Sequence, residues 1–141
     1  MASTSKQTKV DASPDAVWAK LTDTSSYGDW LATHVGYPDG PPELAEGAQF
    51  KEKVTIMGMP GEVDWTVTKL EEGSAVEMEG AGPMGTKLHA AYRIEPDGDG
   101  TTVTFESGFE GAALAAMAQP LEAASNQALE RSLEQLKAAL S

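Results

Sequence analysis

Three side chains that could hold or react with a bound molecule fall in one short stretch, SSYGDWLATHVG, residues 25 to 36: Tyr27, Trp30 and His34. A phenol, an indole and an imidazole together allow two kinds of chemistry. An imidazole ionises near neutral pH and can carry a proton to or from a reacting atom. Aromatic bodies with polar tips can instead pack on an apolar ligand and orient it. Proton transfer needs a partner that orients the ring, and no carboxylate stands beside His34 in the sequence. His34 therefore reads as a rim or loop histidine bonded to backbone or water, with a ligand hydrogen bond as the alternative.

Other chemistries are excluded more firmly. The 141-residue chain has no cysteine, which removes disulfides, thiolate nucleophiles and sulfur-ligated metals. It has two histidines, and the strand pattern turns His89 outward, so no histidine metal site is expected. No Ser/His/Asp order is suggested. The glycine-rich GAGPMG, residues 80 to 85, lacks the lysine and the following helix of a phosphate loop and reads as a turn. No catalytic residue and no cofactor are expected.

Acids outnumber bases 22 to 10, a formal net charge of -12. Such a field repels phosphate backbones and anionic membrane surfaces, and no basic run overrides it. Nucleic acid is not an expected partner. Neither is membrane insertion, since no apolar run approaches the ~20 residues of a span. MASTSKQTKV has no apolar core of a secretory signal, so a cytoplasmic protein is expected. No feature sets an oligomeric state.

The elements that would position these residues follow from periodicity. KQTKVDA, residues 6 to 12, suits a first strand. In SPDAVWAKL, Ser13 suits an N-cap, Pro14 the first helical position and Asp15 the positive end of the helix dipole. Val17, Trp18 and Leu21 form its apolar stripe, which makes Trp18 a core residue. A second short helix runs from about Asp23 into Trp30. Residues 36 to 47 hold three prolines and three glycines and read as a loop.

From Ala48 to Glu110 the period changes to two, which predicts five strands. Phe50, Val54 and Ile56 share one face, as do Val63, Trp65 and Val67, then Val76 and Met78. Leu88, Ala90, Tyr92 and Ile94 follow, then Val103 and Phe105. Asp64, Glu77, Glu79, His89 and Glu106 fall on the opposite, polar face. The inward polar groups are then the Tyr92 hydroxyl, the Trp65 indole N–H and His34. Turn-like breaks between the strands imply an antiparallel meander. Met57 and Met59 would sit at one hairpin tip, as turn residues or as an adaptable contact surface. Helical spacing returns from Leu114 to Leu140, with Pro120 starting or kinking the helix. Only this helix is long enough to cover the sheet.

The order β-α-α-β5-α resembles the START-like superfamily, the α+β helix-grip fold of polyketide cyclases/dehydrases and Bet v 1-like proteins. The similarity is carried by VDASPDAVWAKLTDTSSYGDW, in which Ser13, Pro14, Val17, Trp18, Leu21, Asp23, Tyr27 and Trp30 match that superfamily's opening pattern. LATH and MPGEVDWTV look closest to an actinobacterial subgroup labelled as toxins of toxin–antitoxin pairs. The resemblance covers nearly the whole chain and implies a single START-like domain, residues 1 to 141. It also implies an apolar cavity between a curved sheet and the C-terminal helix, filled by a lipid- or polyketide-like small molecule. Two alternatives stand beside that binder: a toxin acting through an antitoxin partner, and a cyclase or aromatase that would need Tyr92 and His34 on one volume.

The residues themselves leave the cavity open as a question. Ala124, Ser125 and Ala128 lie between Leu121 and the pair Leu129 and Leu133, opposite Ala90. Small residues there make either empty space or close helix–sheet contact. The expected cavity wall comprises Trp30, His34, Val54, Ile56, Trp65, Val67, Met78, Leu88, Tyr92, Phe105, Leu121 and Ser125.

Overall fold

The computed structural model describes residues 2–56, 59–82, 85–111 and 118–140, with backbone alone for 2, 3, 56, 59 and 118. Strand β1 (Ala2–Val10) leads into α1 (Pro14–Thr22) and a 3₁₀ helix (Thr24–Asp29). Six strands follow: β2 (His34–Gly36), β3 (Gln49–Ile56), β4 (Met59–Glu71), β5 (Ala75–Ala81), β6 (Lys87–Asp97) and β7 (Gly100–Glu110). The chain ends in α2 (Ala118–Leu140). All pairings are antiparallel, in the order β1-β7-β6-β5-β4-β3-β2.

Local chemistry explains the entry. The Ser13 hydroxyl accepts from the Ala16 amide at 3.2 Å, Pro14 occupies the first turn and Asp15 sits at its positive end. Val17 and Leu21 are buried beneath α1, while Trp18 is half-buried against the same core. The PDGDG break becomes a two-residue turn in which Gly98 takes φ 61°, a conformation that favours glycine.

Two features depart from the sequence expectation. The segment read as loop from residue 36 is preceded by β2, which pairs with β3 through His34 opposite Val54. A three-residue strand is too short to show alternation. In β4 the register shifts between Val67 and Lys69, so the apolar face resumes at Leu70 opposite Val76. Met57 and part of GAGPMG lie outside the described residues, as do Leu114 and Met117.

The sheet curves around α2, but the helix does not lie along its middle. It packs against β1 and β7. The Thr4 hydroxyl bonds the Asn126 amide oxygen, and Lys6 Nζ lies 3.1 Å from Glu130 Oε1. The Ala32 amide donates to Ser132 Oγ at 2.9 Å, tying the helix to the segment after Trp30. The second half of α2 drives Leu129, Leu133 and Leu136 into the core. There Trp30 meets Tyr27, Phe105 and Tyr92, with ring centroids 4.9, 5.3 and 5.9 Å apart. The first half of α2 presents Ala124, Ser125 and Ala128 to β3, β4 and β6, and does not fill the space between.

Candidate functional site

That space is a cavity of about 380 Å³. Val54, Val63, Trp65, Leu88, Ala90 and Tyr92 form its sheet wall, and Ala124, Ser125, Ala128 and Leu129 its helix wall. The small residues of α2 therefore leave room and do not bring the helix close to the mid-sheet.

One buried wall residue is a carboxylate. Glu52 is 5% exposed and shares the inward face of β3 with Phe50 and Val54. Its Oε2 lies 2.7 Å from His34 Nδ1, and its Oε1 accepts the Trp65 indole N–H at 3.0 Å. An unpartnered carboxylate in such surroundings would cost several kcal/mol; two N–H groups offset that cost. β3 is central to the arrangement: β2 brings His34 from one side and β4 brings Trp65 from the other.

The strand that follows makes room for the indole. Gly80 on β5 stands opposite Trp65, and a Cβ there would come within 2.9 Å of the ring and 2.5 Å of Val63 Cγ1. Glycine lets the ring lie over the strand, which fixes the N–H toward Glu52.

Tyrosines surround the pair. Tyr37 packs tilted against His34 at 4.6 Å between centroids, and Tyr27 meets it edge-on at 6.1 Å. Burial first, then the Glu52 carboxylate, raise the Tyr92 and Tyr37 hydroxyls above their ordinary ionisation range. Burial also raises Tyr27, whose hydroxyl donates to the Leu21 carbonyl at 2.6 Å. The buried Tyr37 hydroxyl and Trp30 Nε1 have no hydrogen-bond partner among the described residues.

The expected wall divides in two. Val54, Trp65, Leu88, Tyr92 and Ser125 line the cavity. Trp30, Val67, Met78, Phe105 and Leu121 are buried elsewhere and do not reach it. The reason is the position of α2: rings expected to flank empty space are instead packed beneath the helix at its filled end. The Ile56 side chain lies outside the described residues. His34 is not on the rim: its side chain is 7% exposed, is bonded to Glu52, and reaches the cavity only through it. Its orienting carboxylate, missing from the neighbouring sequence, comes from the adjacent strand. Tyr92 and His34 thus do not share the cavity.

Glu52 was not among the expected residues. The signal existed: Phe50, Glu52, Val54 and Ile56 share one parity, so the strand placing Val54 inward places Glu52 inward too. His89 and Glu106 pair with each other 2.8 Å apart, beside Arg93 at 3.2 Å, and both also border the cavity. The His89 bond foremost, with Arg93, holds the Glu106 carboxyl below its ordinary value. No group of three or more metal-ligating acidic or histidine residues occurs among the described residues.

Comparison with known proteins agrees with this architecture. Residues 1–141 match the family described as "Polyketide cyclase / dehydrase and lipid transport". The protein Rv1546 of Mycobacterium tuberculosis, which carries no functional name, is 32% identical over 95% of this chain and 92% of its own. From the same organism, the protein named "Toxin Rv0910" is 28% identical over 81% of this chain and 80% of its own. Among solved structures, a START superfamily protein from Mycobacterium smegmatis superposes with TM-score 0.69 at 22% identity, covering 99% of both chains. Ginseng major latex-like protein 151 does so with TM-score 0.74 at 11% identity, covering 99% of this chain and 97% of its own. The fold is the START/Bet v 1-like helix grip, and the chain belongs to the polyketide cyclase/dehydrase and lipid transport family.

Proposed function

We propose that the protein is a single START-like domain that holds an apolar small molecule, lipid- or polyketide-like, between the sheet and the first half of α2. The observation that carries this reading is the cavity of about 380 Å³ with apolar walls on both sides. That volume suits a ligand of a few fused rings or a folded chain. The family description, which joins polyketide cyclisation to lipid transport, supports the same class of ligand. We place the protein in the cytoplasm. No described helix is long and apolar enough to cross a membrane, and the chain lacks cysteine.

The test is a fluorescence titration with N-phenyl-naphthylamine, a neutral apolar dye, on the native protein and on Ala128→Phe. Ala128 lines the cavity from α2, and a phenyl ring there occupies part of the space. The native protein should bind one dye per chain, and Ala128→Phe should bind at least about tenfold more weakly. Equal binding by both sinks the reading.

A second reading, a toxin acting through an antitoxin partner, is favoured by the relative named a toxin. It predicts growth arrest on expression, relieved by a co-expressed neighbouring protein.

A further inference from the structure

One end of the cavity carries a buried polar group, and its chemistry selects the ligand. Glu52 lines the cavity while its two oxygens also receive Trp65 Nε1 and His34 Nδ1. The indole N–H can only donate. A carboxylate oxygen has two lone pairs, so each keeps capacity beyond the bond it already accepts. Tyr92 is buried and lines the same cavity, and its hydroxyl lies within the electrostatic reach of Glu52. Ala90, Leu88, Val54 and Val63 place apolar groups next to them on this wall.

Resting on the binder reading above, we propose that this end takes a neutral hydrogen-bond donor, a phenolic or alcoholic hydroxyl, and rejects a carboxylate or phosphate. A hydroxyl can donate to Glu52 and exchange a bond with Tyr92 at little desolvation cost. An anion would bring like charge against a buried carboxylate, where screening is weak. The other charged or titratable residues of the cavity do not reverse this. Arg131 lies on the exposed side of α2, and His89 and Glu106 are paired with each other. An anionic head would stay in water beside Arg131, leaving the inner end empty. An ammonium group would lose more hydration than a hydroxyl on the same path.

The experiment compares three probes of nearly equal shape at neutral pH: phenanthrol, phenanthrene and phenanthrene carboxylate. Affinities are read by competition with the neutral dye. Phenanthrol should bind at least about tenfold tighter than phenanthrene, and the carboxylate weaker than both. In Glu52→Gln, which keeps an acceptor oxygen but no charge, the disadvantage of the carboxylate should shrink at least about threefold. The proposal is overturned if the native protein binds carboxylate as tightly as phenol, or phenol no tighter than hydrocarbon. It is also overturned if Tyr92→Phe abolishes the preference while Glu52→Gln leaves it intact. Because the native protein alone ranks the probes, the comparison stands even if a variant fails to fold. Entry of the hydrocarbon without discrimination would remove this proposal and leave the binder reading; exclusion of all three would remove both.

Discussion

Glu52 holds together three strands that would otherwise each bury an unpaired group. His34 from β2 and Trp65 from β4 both turn to it. Replacing it by leucine keeps an apolar body of similar size but strands both N–H groups. Glu52→Leu should destabilise by about 3 kcal/mol in urea unfolding, and Glu52→Gln by about 1 kcal/mol, because an acceptor survives. Equal losses would mean that packing, not hydrogen bonding, sets the cost. The three tyrosines make a second prediction. Each is raised by burial in the folded chain, while the unfolded chain ionises near pH 10. Their contribution is therefore complete below pH 10 and is lost as pH rises, since the unfolded state releases protons first. Tyrosinate absorbance should stay absent at pH 10.5 and then appear together with loss of structure. A midpoint near 10 with circular dichroism still native would contradict this. At this scale the sequence was legible in part. Trp65 and Tyr92 declared themselves by parity, because bulky apolar residues surround them on one face. Glu52 did not, because a charged residue in a strand is assigned to water unless its parity is followed through. Its partners could not be seen at all, for they come from strands whose pairing only the fold supplies.

Among the elements, β5 and α2 set the shape of the site. Gly80 gives β5 the flat spot that receives the Trp65 ring, with contact distances too short for any side chain. Gly80→Ala should cost about 2 kcal/mol through displacement of that ring. Trp65 fluorescence should report the shift, and the affinity for the neutral dye should fall with it. Unchanged stability and emission would show that the ring has room to move. The long strands and both helices were readable because each repeats its pattern over several residues. Ser13, Pro14 and Asp15 marked the start of α1 in three consecutive positions. What failed were features without a period. β2 is three residues long, and the β4 bulge adds one outward residue between Val67 and Leu70. The lateral seat of α2 is likewise not periodic. It is set by Thr4 with Asn126, Lys6 with Glu130 and the Ala32 amide with Ser132, contacts that each span a hundred residues or more of chain.

At the level of the whole molecule, one helix fills half of what a curved sheet encloses. The filled half carries stability: Trp30, Phe105, Leu133 and Leu136 lie there, all nearly or fully buried. The other half keeps small residues on α2 and a polar end on β3. This division explains why the sequence revealed the helix grip readily and the cavity wall only in part. Apolar residues on an inward face look alike whether they meet a neighbour or an empty volume, and the difference is decided by where α2 rests. The net charge of -12 belongs to the same scale, since it opposes anionic partners before any of them reaches the cavity mouth. The most direct measurement is methyl-resolved NMR during titration with phenanthrene. The account predicts saturable shifts at Val54, Val63, Leu88 and Leu129, the cavity methyls, with Val17 and Leu136 in the filled half unmoved. Shifts confined to residues outside the cavity, or none at saturating ligand, would contradict it.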